Sequence, residues 1–391
     1  MLAAYDFVGG GNLDIREVIE NNIHTIKELR RKLSDNAELS FKEYNTQGII
    51  LDFFKALNID TKVIASTGVA AALNSGTECI AVRADMDALP VKGVTHACGH
   101  DYHMAVVLGT ALVLKAIGFD KPVKFIFQPG EEAEGGALPM IKEGVLENPK
   151  VKYMIGFHVW PNVKVGTIEV ASDASMASVD DFHINFIGKG GHAATPHLCK
   201  NPMYPAMEFI QSMTMQSRVE NDTLNPHIIT FSSIQCGTAP NVIAEECKVL
   251  GTVRTFNSDL RKKLYEDILK NSALCAEKYG CRVEVNYDFQ YPPLISNEAL
   301  TNKFINITKE LIGEDKVLPL DKTFAAEDFA YFAEAVPAVH FRLGIADGYK
   351  GIHPLHSPNF DASEEAILNG IYIITNFILA EPEGRFHWHQ K

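Results

Sequence analysis

DDFHINFIG (residues 180–188), HIITFSSIQ (227–235), EECKVLGTVRTF (245–256) and CRVEVNYDF (281–289) alternate apolar and polar residues. A period of two marks a strand with one buried face. Two amphipathic stretches with helical spacing, Pro205–Val219 and Ser258–Tyr279, lie between the first and second strands and between the third and fourth. The order β-α-β-β-α-β is the ferredoxin-like split unit, a complete small α+β domain.

The chain has a different character on either side of this block. Before it, helical stretches at Ile15–Leu33 and Tyr44–Leu57 precede an alternation of strands and helices: VIASTGVAAAL (63–73) and CIAVRAD (79–85) as strands, HMAVVLGTALVLKAI (103–117) as a helix, VKFIFQ (123–128) as a strand, GALPMIKEGVL (136–146) as a helix and VKYMIGFHV (151–159) as a strand ending at His158. After it come another helical stretch, the strand VPAVHFRLG (336–344) and a closing helix, Ser363–Leu379. Near-continuous apolar strands alternating with helices predict a largely parallel sheet covered on both faces. The simplest architecture is therefore an α/β catalytic domain with a mainly parallel sheet, built from residues 1–178 and 293–391. The ferredoxin-like α+β domain over 179–292 interrupts it.

Composition narrows the function. The 391 residues carry 36 Lys and Arg against 49 Asp and Glu, a net charge of -13. Nucleic acid or an anionic membrane surface would need clustered cations, so the expected partner is a small molecule. The longest apolar run, Met104–Leu114, is about half of what a membrane crossing needs. Seven scattered cysteines make no disulfide framework and fit a reducing compartment. MLAAYDFVGGGN at the start lacks the basic and apolar regions of a signal peptide, so a cytoplasmic location is expected. The tail AEPEGRFHWHQK reads as a disordered end rather than a metal site.

Three clusters carry chemistry. In HACGHDYH (96–103), Cys98 and His100 are two apart and would point the same way on an extended segment, with Gly99 leaving room for a metal and Asp101 able to cap the following helix. Cys98 alone reads equally well as a small buried hydrophobe. FQPGEEAEGG (127–136) follows a strand at the end where α/β folds place ligands. Its adjacent Glu131 and Glu132 diverge in direction, so one could bind a metal while the other handles a proton; taken alone, the pair is a solvated acidic loop. His158 ends an apolar strand, and GIHPLHSPNF (351–360) presents His353 and His356. A Cys, a Glu and several His at strand ends match the donor set of a transition-metal site. Asp87, in VRADMDALP, suits an acceptor that orients a ligand histidine, with Asp85 as the competing choice. Glu327 in AEDF lines the site or caps a helix.

With these motifs together, the sequence resembles the M20 metallopeptidase family, in its amidohydrolase branch of hippurate hydrolases, indole-acetyl-amino-acid hydrolases and N-acetyldiaminopimelate deacetylases. RRKLSDNAELSF, VRADMDALP, HACGHDYH, FQPGEEAEGGA, GFHVWP, GKGGHAATPH, GTAPNVIAEECKVLGTVRTF, AEDFAYF and LHSPNFD carry the resemblance, which covers nearly the whole chain after residue 12. It implies a hydrolase of N-acyl amino acids with two divalent ions, Zn, Mn or Co, held by Cys98, His100, Glu132, His158 and His356. Glu131 is then the general base. The resemblance further implies that His192 serves the active site of a partner subunit in a homodimer or larger homo-oligomer, and that Asn241 and Arg254 contact substrate. Ser34 and Ala37 stand where the family usually has a histidine and a proline, and the Pro90–His96 link is short. These departures bear on the substrate, not on the proposed ligands. An aminopeptidase or dipeptidase on the same metals, or a homologue that holds metal without turnover, are the alternatives.

Overall fold

The computed structural model describes residues 14–380 apart from Glu134. The initial MLAAYDFVGGGN segment and the end of the polar tail lie outside the described residues. The chain divides into two compact units: one runs up to Asp173 and resumes over Ile295–Asp321 and from Tyr331, and the other comprises Ala174–Leu294 and Lys322–Ala330. By sequence, Lys322–Ala330 falls in the catalytic region (293–391). The bridge from Met176 to Thr323 and the Arg254 bond to the Phe324 carbonyl tie this segment to the second unit.

In chain order, the first unit opens with α1 (Ile15–Asp35), α2 (Tyr44–Ala56), β1 (Asp60–Ile64), β2 (Gly68–Leu73), β3 (Glu78–Asp85), α3 (His100–Ala116), β4 (Val123–Gln128), α4 (Ala137–Lys142) and β5 (Lys150–Lys164). An eight-stranded sheet runs β1-β2-β4-β3-β5, then the Ala338–Ala346 strand, Ile168–Val170 and Val317–Pro319. Its centre is parallel: β3 pairs with β4 and β5, and β5 with Ala338–Ala346. All of β4 is buried, as expected of a strand covered on both faces. The stretch VIASTGVAAAL, expected as one strand, instead spans the end of β1, a turn and all of β2, because Ala65 and Ser66 adopt positive φ angles of 49° and 69°.

α3 is apolar almost all round and correspondingly buried from His100 to Leu114. It packs between the sheet, α1 and the C-terminal helix Glu365–Ala380. Asp14 caps α1 by accepting from the Arg16 amide.

The second unit contains the expected split unit. Its antiparallel sheet has the order His227–Cys236, Glu246–Thr255, Asp180–Ile187, Arg282–Phe289. The helices Met203–Glu220 and Ser258–Lys278 cover one face, around Phe182, Phe186, Phe209, Val249 and Leu264. Among the described residues, no helix is long and apolar enough to cross a membrane.

Candidate active site

Gly99 shapes the approach to the site. Its φ of 83° is left-handed, and a Cβ there would lie 2.3 Å from Val159 Cγ2. Only glycine meets both conditions comfortably. Cys98 and His100 are therefore not neighbours on an extended segment, as their spacing suggested: the chain turns at Gly99 and His100 is already the first residue of α3. Asp101 does not cap that helix either. It pairs with Arg30 at 2.9 Å across the α1–α3 contact.

The five ligand-type residues come from four stretches of chain and converge within the first unit. Cys98 and His100 flank the Gly99 turn, Glu132 follows β4, and His356 lies in the loop before the last helix. His158 is a mid-strand residue rather than a strand end, since β5 continues to Lys164. Cys98 Sγ is 3.3 Å from both His158 Nε2 and His356 Nε2. His356 Nε2 is in turn 3.3 Å from Glu132 Oε1. Two triads result, Cys98–His100–His158 and Cys98–Glu132–His356, with the ligand atoms of each within 4.8 Å of one another and Cys98 common to both. Glu131 forms a third such group with His100 and Glu132 and is itself buried. His353, from the same loop as His356, joins none of these groups.

Neighbouring groups orient the imidazoles. His100 Nδ1 faces the main-chain oxygen of Asp87 at 2.9 Å, and His158 Nδ1 faces that of Val159 at 2.7 Å. A carbonyl can only accept, so each Nδ1 carries a hydrogen and each Nε2 is the ring nitrogen left for the cluster. Asp87 does orient His100, but through its backbone oxygen at the shortest contact. Its carboxylate Oδ2 accepts from Ser40 Oγ at 2.6 Å and from the Glu132 amide at 3.0 Å, fixing the second carboxylate loop. His356 has a left-handed φ of 62°, and its amide donates to the Ala97 carbonyl beside Cys98. Such a backbone costs about 1–3 kcal/mol in a residue other than glycine and is held here by its surroundings.

The electrostatics call for a cation. His100 Nε2 is buried with no hydrogen-bond partner, 3.8 Å from the buried Glu132 Oε1, which faces His356 Nε2 at 3.3 Å. Burying such groups uncompensated is costly. Burial disfavours charge on His100, yet Asp85, Asp87 and Glu132 outweigh it and lift the ring to about 10. The carboxylates thus hold a proton where a metal would otherwise sit. Burial, reinforced by Glu132 and Glu131, pushes the Cys98 thiol well above its ordinary value, so its thiolate needs a positive partner. Burial and then His103 hold His158 well below the usual imidazole range, leaving it an uncharged donor. Thiolate, imidazole and carboxylate around an orphaned buried nitrogen fit a divalent transition metal.

The profile of peptidase family M20/M25/M40 matches residues 81–380. The chain belongs to this family. Among its M20 relatives, Thermostable carboxypeptidase 2 of Saccharolobus solfataricus is 32% identical, covering 92% of this chain and 96% of the relative. N-acetyldiaminopimelate deacetylase of Anoxybacillus flavithermus is also 32% identical, with 90% and 96% covered. Among solved structures, a Bacillus subtilis M20 protein described as a dinuclear metal binding peptidase is 28% identical, with a TM-score of 0.79 over 92% of this chain and 98% of that one. The M20 chain is a hydrolase by this membership.

The remaining expected site residues belong to the second unit. His192 is exposed on a two-stranded ladder with Val242–Ile243, and its Nδ1 accepts from the Ala194 amide at 3.0 Å. Asn241 is exposed at the same ladder, its carbonyl accepting from the Ala193 amide. Arg254 is half-buried on Glu246–Thr255, its Nη1 donating to the Phe324 carbonyl at 2.9 Å. Glu327 accepts from the Phe329 amide at 3.0 Å. His103 and Arg83 were not singled out in the sequence. His103 lies one helical turn after His100, the only signal that could have marked it.

Proposed function

We propose that the M20 chain is a two-metal amidohydrolase that cleaves N-acyl amino acids to a carboxylic acid and the free amino acid. The observation that carries this reading is the pair of ligand triads sharing Cys98, with the buried His100 Nε2 left without a hydrogen-bond partner. Two divalent ions, when bound, supply the positive charge that polarises the scissile carbonyl and lowers the pKa of an attacking water toward about 7. Cys98, His100, Glu132, His158 and His356 hold them, a donor set that suits Zn, Mn or Co. Glu131 takes the proton from the water and returns it to the leaving nitrogen. Neutral His158 and the anionic Cys98 and Glu132 leave the site net positive once it is loaded, which favours an oxyanion.

Arg254 is the clamp for the α-carboxylate of the released amino acid, its guanidinium anchored at Nη1 and offering its remaining donors in a planar fork. Asn241 contributes a further substrate contact. The exposed His192 donates to the oxyanion in the active site of a partner subunit, which makes the second unit a dimerisation domain. Seven free cysteines support a cytoplasmic setting.

Removing an acyl group from an amino acid and removing the last residue of a peptide break the same kind of bond, so the deacetylase and carboxypeptidase names of the relatives are compatible with one chemistry. The test is hydrolysis of a panel of N-acyl amino acids, peptides and free-amine dipeptides after reconstitution with each metal. N-acyl substrates should turn over. Turnover of free-amine substrates alone would instead indicate an aminopeptidase or dipeptidase, and metal binding without any turnover a non-catalytic homologue.

A further inference from the structure

Behind His158 lies a buried chain of polar contacts that supplies none of the five proposed ligands. Arg83 Nη1 donates to Asp85 Oδ2 at 2.7 Å and its Nε to Gln128 Oε1 at 2.9 Å, all within the fully buried sheet. The other carboxylate oxygen, Oδ1, meets His103 Nδ1 at 2.5 Å. The far nitrogen of the same ring, Nε2, lies 2.9 Å from the Val159 amide. An amide N–H can only donate, so His103 Nε2 is the acceptor and Nδ1 carries the hydrogen that Asp85 receives. Val159 is therefore gripped from two sides: its N–H by His103, and its carbonyl by His158 Nδ1 at 2.7 Å. The His103 and His158 rings also meet edge to face, with centroids 4.6 Å apart.

We propose that His103, fixed by Asp85, is a positioning residue that holds His158 in the orientation its Nε2 needs to bind metal. The proposal rests on the two-metal reading of the site. Asp85, His100 and His103 also cluster closely enough to suggest a metal group of their own. His103 is not a ligand, however, because both its nitrogens are committed, one to a carboxylate and one to an amide. Asp85 reaches the site twice, through His103 and by lying 3.7 Å from His100 Nε2. Partners that orient ligand histidines in this way carry much of a site's affinity.

The experiment compares wild type, His103→Phe and His103→Gln in the full chain. Phenylalanine keeps a flat ring against His158 but makes neither hydrogen bond. Glutamine keeps an acceptor within reach of the Val159 amide. Metal-free protein is titrated with Zn²⁺ against a chelating dye, and with Co²⁺ while its thiolate absorption band is recorded, so the readout needs no substrate. His103→Phe should weaken one of the two bound ions by about 10- to 100-fold, leave the other unchanged and alter the Co²⁺ band. His103→Gln should recover part of that loss. Wild-type affinity in a folded His103→Phe variant would overturn the proposal. Equal losses in both variants would also overturn it, since the acceptor to Val159 would then not matter. Loss of a whole equivalent in His103→Gln would make His103 a ligand and contradict it too. A wild-type chain that binds two ions yet hydrolyses no N-acyl amino acid would overturn the proposed function and leave this inference standing, whereas failure to bind any ion would sink both.

Discussion

Cys98 holds the two triads together, and its chemistry explains why the cluster is built around it. A thiolate is large, polarisable and anionic, yet burial and the nearby Glu132 and Glu131 charges oppose its formation in the bare protein. Only a cation reverses that balance, so Cys98→Ala should reduce the metal that survives dialysis, as read by elemental analysis. Glu131→Gln should behave oppositely: both ions retained, but kcat lower by at least about 100-fold, the usual contribution of a general base. If Glu131→Gln empties the site while Glu132→Gln leaves it filled, the roles of the two carboxylates are reversed. These residues were legible in the sequence because cysteine, histidine and paired glutamates beside glycines are uncommon together at the ends of apolar segments. His103 was not, and Asp85 stood only as the alternative to Asp87. A histidine within a helix reads as an ordinary polar residue until the fold brings it to 2.5 Å from the Asp85 carboxylate.

At the scale of elements, the site depends on where the chain is allowed to turn. Strand and helix types followed from periodicity, and the split β-α-β-β-α-β order was readable because each strand alternates cleanly. Turns driven by single backbone angles were harder to read. The Ala65–Ser66 turn made two strands where one was expected, and the Gly99 turn placed His100 on a helix instead of an extended segment. Periodicity is blind to positive φ at residues other than glycine. Gly99 yields a direct prediction, since a side chain there would be strained at φ 83° and would press on Val159, the neighbour of His158. Gly99→Ala should cost about 1–3 kcal/mol from the backbone alone. The expected signature is a lower urea midpoint with an unchanged denaturant slope, together with weaker metal binding. Unchanged stability and metal affinity would show that the turn is not constrained in this way.

The whole molecule divides its chemistry between two units: all five proposed ligands and Glu131 belong to the first, while His192, Asn241 and Arg254 belong to the second. If His192 serves a partner subunit, mixing Glu131→Gln with His192→Ala should restore activity, because each mixed dimer contains one site with both intact residues. Random one-to-one mixing makes half of the dimers mixed, so about a quarter of all sites should recover. No recovery, with exchange verified by tagged subunits, would place His192 in its own chain's site or in none. The metals themselves are tested by pairing elemental analysis with hydrolysis of N-acyl amino acids, on protein stripped by chelation and then titrated with Zn²⁺, Mn²⁺ or Co²⁺. The stripped chain should be inactive, and its activity should rise with metal content and level off at two ions per chain. Full hydrolysis by protein in which no metal can be detected would contradict it.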